Sequence, residues 1–313
     1  MADQDPCPAP FNLAAHVLAQ APRLPDKIAL AVLSPTRSDR WSYARLEDRV
    51  LRTASGLLAQ GLWPGDRLLL RLGNRPDFPV AFLAAIAVGL VPVPTSAQLT
   101  APEISRLAPE IAPKLILAHK GISLPDPLPC PVVTDLEALA GHDRAAYQMG
   151  DPNRLAYLVY TSGTSGRPRA VAHAHRAIWA RRMMHQGWYG LRESDRLLHA
   201  GAFNWTFTLG TGLLDPWSVG ATALIPSEGT DPAALPLLLK RHDATIFAAA
   251  PGVYRPLLRS PIPPMPKLRH GLSAGEKLPE PIREAWTSAT GTTIHEAPGM
   301  SECSTFISAF RPC

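Results

Sequence analysis

Short apolar runs recur along this chain, separated by longer stretches of helical periodicity, and that alternation restricts the fold more than any other feature. Ile28–Leu33, Arg67–Leu72, Val91–Pro94, Lys114–His119, Val132–Thr134, Leu155–Tyr160, Arg196–Ala200, Ala221–Ile225, Ala244–Ala248 and Arg269–Ser273 read as strands. Between them, Tyr43–Gln60 reads as an amphipathic helix closed by Gly61, Pro76–Gly89 as a buried helix, and His173–Met184 as a helix following a polar loop. Strands that are apolar throughout suit parallel sheets covered on both faces, with helices as crossovers. With 313 residues the chain has room for two such sheets. The proline-rich stretch 120–152 is the natural place for a connection between subdomains.

Composition removes several classes. Hydrophobic residues make up 46% and charged residues 18%, enough apolar side chain for a substantial core. The apolar stretch from Phe78 to Val93 is broken by Pro79 and Gly89, and no window reaches the ~18 residues a membrane helix needs. Cys7, Cys130, Cys303 and Cys313 are too widely spaced for a disulfide framework or a zinc site. No basic segment leads into an apolar run at the start, so reduced thiols and a cytoplasmic location are expected. The formal charge is +5, and between Pro152 and Arg192 there are seven arginines and no acidic residue. Such a field attracts a polyanion, although a solvated helix face is an equal reading for Arg181 and Arg182. Nucleic acid is not expected, because no binding motif accompanies the patch and aromatics are only 7%. A small polyphosphate fits the pattern better.

The segment Leu155–His173 shows why. An apolar strand empties into Tyr160-Thr161-Ser162-Gly163-Thr164-Ser165-Gly166-Arg167-Pro168-Arg169-Ala170. Gly163 and Gly166 allow the backbone to approach a ligand closely. Consecutive amides in such a turn form an anion nest, and Thr161, Ser162, Thr164 and Ser165 add hydroxyl donors. Arg169 supplies fixed positive charge. The GxxxxGK[ST] spacing of a Walker loop is not met.

The whole segment resembles the phosphate-loop signature of the adenylate-forming superfamily, which includes acyl-CoA synthetases, peptide-synthetase adenylation domains and luciferases. It departs at Arg169, where that signature has lysine, and at Ala170, where it has glycine. Trp41-Ser-Tyr43-Ala-Arg-Leu46, Gly61-Leu-Trp-Pro-Gly65-Asp66-Arg67, Gly73-Asn74 through Asp77, and Gly89 through Pro94 resemble further stretches of the family in the same order. Ser273-Ala274-Gly275-Glu276-Lys277-Leu278-Pro279 is similar to the segment lining adenine in acyl-CoA synthetases. Pro298-Gly299-Met300-Ser301-Glu302 resembles the motif that holds adenine and approaches the α-phosphate, with Pro298 in place of the usual aromatic.

The resemblance implies an α/β fold of two stacked, mostly parallel sheets flanked by helices, with residues 1–313 forming the large AMP-binding N-terminal domain. It implies ATP and Mg²⁺, with Glu302 as the metal-binding carboxylate and Thr161, Arg169 and Glu302 as catalytic residues. Thr161, Ser162, Gly163, Thr164, Ser165, Gly166 and Arg169 would meet the phosphates; Gly275, Glu276, Lys277, Pro298, Gly299, Met300 and Ser301 would hold the rest of the nucleotide. The acceptor thiol would be CoA or that of a carrier protein, and a homodimer is compatible with the pattern. The resemblance also implies that the family's β-barrel subdomain and small C-terminal domain are largely missing after Glu302. Weak or no acid-dependent ATP–pyrophosphate exchange, and no acyl-CoA formation, are therefore expected of these 313 residues; a non-catalytic nucleotide-binding role is the alternative.

Phe203, Trp205, Phe207 and Gly210 resemble the family's acyl-pocket segment, and no Asp stands within Phe203–Trp205 to pair an α-amino group. A fatty, aromatic or other simple carboxylic acid is expected rather than an amino acid. Aromatic residues here also suit an ordinary core, Trp217 more so than Phe207. His173 and His175 lack a third ligand at metal spacing and read as packing at a helix start. Gly271-Leu-Ser273-Ala-Gly275 satisfies GxSxG, but a nucleophile elbow needs a helix directly after the serine, and Pro279 and Pro281 postpone it.

Overall fold

Nearly every apolar run becomes a strand. The computed structural model describes residues 5–161 and 168–303. In chain order the strands are β1 (Ile28–Leu33), β2 (Ser38–Ser42), β3 (Arg67–Arg71), β4 (Val91–Pro94), β5 (Leu115–Ala118), β6 (Val132–Val133), β7 (Leu155–Thr161), β8 (Arg169–Ala174), β9 (Arg196–His199), β10 (Thr222–Pro226), β11 (Ile246–Ala249), β12 (His270–Ala274) and β13 (Ile294–Ala297). They fall into two compact units. One comprises Met1–Ala19, Glu47–Gly73 and Asp77–Ala180; the other comprises Gln20–Leu46, Asn74–Pro76 and Arg181–Cys313.

The first unit holds a four-stranded sheet in the order β4-β3-β5-β6, parallel throughout, and the antiparallel pair β7-β8. The helix Asp77–Ala87 is buried from Phe78 to its end, as expected of a helix apolar on all sides. Arg71, at the end of β3, is fully buried and donates to the carbonyls of Ser123, Ser96 and Leu99 and to the Thr95 hydroxyl. Burial lowers its pKa to about 10, and its fork of donors ties two loops to the sheet. The proline-rich stretch 120–152 is not a boundary, contrary to the sequence expectation. It stays within the first unit because Ala145 donates to Leu51, Gln148 to Ala87, and Gly150 pairs with Phe11.

The second unit holds a seven-stranded sheet, β13-β12-β11-β9-β10-β1-β2, parallel except for the edge pair β1-β2. Side chains alternate between two cores. Leu198, Leu224, Phe247 and Ala249 face Tyr254, Leu257 and Trp286; Leu197, Ile246, Ala248 and Leu272 face Trp188, Tyr189 and Phe207. Helices on both faces explain why these strands read as unbroken apolar runs. Trp217 is fully buried and donates to the Ala29 carbonyl at 2.8 Å, so it belongs to the core.

Residues Thr208–Leu214 form a π-helical turn, with the Asp215 amide donating to the Gly210 carbonyl five residues back. The turn ends on a buried ion pair. Arg181 Nε lies 2.8 and 3.1 Å from the two oxygens of Asp215, Nη2 donates to the same carboxylate, and the Tyr189 hydroxyl donates to it as well. Arg181 is therefore not a solvated helix face: it is 6% exposed and Asp215 is 0% exposed. Burial is the largest single influence and would raise the Asp215 pKa, but the Arg181 charge together with hydrogen bonds from His185 and Arg181 outweighs it and brings the carboxyl to about 2. Asp215→Ala leaves a buried guanidinium without its counter-charge and is expected to destabilise the chain by about 3–5 kcal/mol. Urea denaturation checks this, and the double variant Arg181→Met/Asp215→Leu should recover most of the loss. A single-variant loss below about 1 kcal/mol would show that the pair does not hold the turn.

Candidate functional site

In the first unit the polar loop lies between two strands. β7 and β8 pair antiparallel with Thr161 opposite Arg169, Tyr160 opposite Ala170 and Val159 opposite Val171. A helix directly after the loop, expected from His173, is not what forms: His173 is a strand residue and the helix runs Ala177–Gly187. The alternating pattern Ala170-Val171-Ala172-His173 explains the difference, since Val171 and His173 are buried while Ala170 and Ala172 are exposed. His173 stacks on Tyr157 with centroids 4.6 Å apart, and His175 accepts the Leu13 amide at Nδ1, 3.0 Å away. Both are packing residues of strand and loop. Thr161 and Arg169 are brought together as a cross-strand pair at the mouth of the loop, the first half-buried and the second exposed. Ser162, Gly163, Thr164, Ser165 and Gly166 lie outside the described residues.

In the second unit the remaining candidates gather at the C-terminal ends of parallel strands, where ligands bind in open α/β sheets. β12 and β13 end in register, Ala274 beside Ala297, so Gly275-Glu276-Lys277 and Pro298-Gly299-Met300 leave the sheet side by side. All six are exposed; Ser301 is half-buried and Glu302 exposed in the turn that follows. Gly275 has φ +99°, and a Cβ there would lie 2.8 Å from the Trp205 ring, so the indole rests directly on this backbone. Glu296 pins the same turn: its Oε1 accepts the Leu278 amide at 2.7 Å and its Oε2 accepts Arg283 at 3.0 Å. Ser273 is fully buried inside β12 and the next helix starts at Glu280, so the GxSxG match is not a nucleophile elbow.

The segment after β9 carries the acyl-pocket candidates. Asn74 clamps it, with Nδ2 donating to the Gly201 carbonyl at 2.8 Å and Oδ1 accepting the Phe203 amide at 2.9 Å. Phe203 and Phe207 are buried and Trp205 partly exposed. Gly210 faces Arg181: a Cβ there would lie 2.5 Å from the guanidinium carbon. Its lack of a side chain makes room for the ion pair. His199, at the end of β9, is fully buried, with the Phe207 ring 4.4 Å away centroid to centroid. Neither of its nitrogens has a hydrogen-bond partner among the described residues. Sequence reasoning missed Asn74, His199 and Glu296 as site residues. Their signal was positional, each standing at or next to a strand end beside a segment already singled out.

The family model for AMP-binding enzyme matches residues 17–312. A 3-hydroxybenzoate–CoA ligase of Aromatoleum sp. (strain CIB) is 29% identical over 83% of this chain and 54% of its own length. A benzoate–CoA ligase of Thauera aromatica is 31% identical over 84% of this chain and 54% of its own. Among solved structures, a benzoate CoA ligase from Burkholderia xenovorans LB400 superposes with a TM-score of 0.86 at 27% identity, covering 95% of this chain and 62% of that one. The chain spans about half the length of the curated relatives it matches.

The buried histidines set a pH dependence. Burial lowers His199 and His175 to about 3 and His270 to about 4. The folded chain keeps them neutral, while the unfolded chain takes up protons below about pH 6.5. Stability is therefore full above about pH 6.5 and falls with pH by about 1.4 kcal/mol per pH unit for each histidine, down to about pH 4 for His270 and about pH 3 for His199 and His175. His199→Phe should lose less stability than the parent chain between pH 7 and pH 5 in urea titrations. Equal losses would show that His199 does not titrate on unfolding.

Proposed function

The chain belongs to the AMP-binding enzyme family, and we propose that it binds ATP and a carboxylic acid for AMP-forming activation, as part of an acid–thiol ligase. The observation that carries this reading is the cross-strand pairing of Thr161 with Arg169 at the mouth of the Gly/Ser/Thr loop. That register presents a hydroxyl and a guanidinium together at the place where the loop would meet phosphate. An aromatic acid is the favoured substrate, supported by the hydroxybenzoate and benzoate ligases among the relatives and by the aromatic segment Phe203–Phe207.

The chemistry asks for no protein nucleophile. A carboxylate oxygen of the acid attacks the α-phosphorus of ATP, the bond to the bridging oxygen breaks, and pyrophosphate departs. A thiol, of CoA or of a carrier protein, then attacks the acyl carbon, and AMP leaves with the electron pair. The protein's task is to hold two anions together and balance the charge that moves onto the phosphates. Thr161 donates its hydroxyl to a phosphate oxygen, and Arg169 spreads positive charge over the triphosphate. Gly275 through Lys277 and Pro298 through Ser301 form the neighbouring strand ends proposed to hold the nucleoside. Glu302 offers an exposed carboxylate in a turn, the hard oxygen donor that Mg²⁺ accepts alongside phosphates and water. Bound there, the ion would neutralise phosphate charge.

Arg169→Ala is expected to weaken Mg·ATP binding by the 313-residue chain about 10-fold or more, the range for a lost charge-assisted hydrogen bond. Arg169→Lys should retain much of the affinity, because the charge stays. Isothermal calorimetry on the three proteins decides it, and an Arg169→Ala protein that binds ATP as tightly as the parent would count against the loop as the phosphate site.

A further inference from the structure

The second unit contains a polar group that ATP binding and adenylation leave unused. His199 ends β9 on the same face as Leu197, two residues earlier, and therefore faces the core containing Trp188, Phe207, Ala248, Ala274 and Ala297. On that face the strand ends present only the methyl groups of Ala248, Ala274 and Ala297, while Phe207 and Trp188 supply large rings, with Trp205 packed at the margin. Small residues beneath aromatic walls suit a flat apolar group. At its β9 end the imidazole stands among these apolar groups, edge-on to Phe207 at 4.4 Å and to Trp205 at 6.4 Å between centroids.

Buried polar groups are almost always hydrogen-bonded, and an orphan needs an explanation. Three such orphan atoms lie on two side chains beside Gly201. His199 Nδ1 and Nε2 both lack partners among the described residues, and so does Thr208 Oγ1. A Cβ on Gly201 would lie 2.2 Å from Thr208 Oγ1 and 3.2 Å from His199 Nδ1, so both groups crowd the same glycine. Gly212 holds the ring from the other side, since a Cβ there would lie 2.8 Å from His199 Cβ. The imidazole is thus held in place by its surroundings, yet nothing among the described residues answers its nitrogens.

We propose that His199 hydrogen-bonds a neutral polar substituent on the acid's ring, so that the pocket selects hydroxy- or amino-substituted aromatic acids over apolar-substituted ones. The proposal rests on the acid-activating reading above and names the substrate class of that site. A neutral imidazole offers one N–H and one lone pair, and a phenol or aniline group answers either. A second carboxylate on the ring is not favoured, because Arg181 beside the same π turn is already neutralised by Asp215. The competing occupant is a resident water, which predicts no discrimination between such acids.

The test compares binding of the 2-, 3- and 4-hydroxybenzoates with the matching methylbenzoates to the 313-residue chain by calorimetry, with Mg·ATP titrated separately. At least one hydroxybenzoate should bind about 3- to 10-fold more tightly than its methyl counterpart, the worth of one neutral hydrogen bond. His199→Phe should bring that ratio close to one, and His199→Asn should keep part of it. Equal affinities in the parent chain, or an unchanged ratio in His199→Phe, would overturn the proposal. Ring acids that bind without preference sink the His199 assignment alone; ATP binding with no affinity for any benzoate sinks the aromatic-acid reading along with it. The ¹⁵N resonances of the His199 ring, assigned by their loss in His199→Asn, provide a readout in the parent chain. They should move on saturation with the preferred hydroxybenzoate and stay in place with its methyl counterpart, and no difference between the two would also overturn the proposal.

Discussion

The Asp215 carboxylate is sealed from water and still ionised, and much of the second unit is arranged to keep it so. Arg181 reaches it from the helix Ala177–Gly187, Tyr189 from just past that helix, and the π turn Thr208–Leu214 delivers the carboxylate itself. Gly210 must be a glycine because the guanidinium fills the space where a Cβ would stand. Two residues on, Gly212 opens the turn toward His199 in the same way. The ion pair, the irregular turn and the aromatic segment preceding it are therefore one assembly. A regular α-helix would advance these side chains by a different angle and could not offer both glycines to both neighbours.

The parts of this arrangement visible in the sequence are those decided by water. Strands buried on both faces must be apolar throughout, and β1, β3, β4, β5, β7 and β9 to β12 could be read directly for that reason. The strands that escaped notice are β2, β8 and β13. β2 and β13 close the two edges of the large sheet and β8 belongs to a two-stranded pair, so each carries polar residues such as Ser38, Asp39, Arg169, His295 and Glu296. Missing β8 had a chemical consequence. A strand running into a helix gives a phosphate loop the helix N-terminus as an electrostatic partner, whereas β7 and β8 form a hairpin and the next helix starts only at Ala177. In the proposed phosphate site a following helix N-terminus is then not available beside the loop, which gives weight to the charge of Arg169 standing opposite Thr161.

Polar burial was the harder quantity to read. A run of seven arginines looks like a single field, yet its members do unlike work: Arg181 is consumed by Asp215, while Arg154 caps the carbonyls of Phe11, Gln148 and Asp151. The sequence does not announce these roles, because Asp215 lies 34 residues from Arg181 and Phe11 lies 143 residues from Arg154. The same holds for Asn74, which clamps Gly201 and Phe203 from far along the chain. The motif residues expected to meet the nucleotide could be singled out because they occur consecutively; the side chains that hold those segments could not, because only the fold makes them neighbours.

That division bears on where selectivity between acids can reside. Under the proposed reading, the groups expected to meet phosphate would see the same ligand whatever the acid, so they would contribute little to the choice. Apolar walls discriminate weakly, about 1–3 kcal/mol for a methylene gained or lost, and reject a hydroxyl analogue poorly. A buried polar group that goes unanswered by the wrong substrate discriminates more strongly, because the penalty falls on every complex lacking the partner. Among the described residues of the Phe203–Phe207 segment and its alanine-lined floor, His199 meets that condition: it is fully enclosed, fixed by Gly201 and Gly212, and without a partner of its own. In the proposed site, exchanging that one ring for an apolar one would leave the walls and the floor as they are and leave Thr208 as the remaining buried group beside Gly201 without a partner among the described residues.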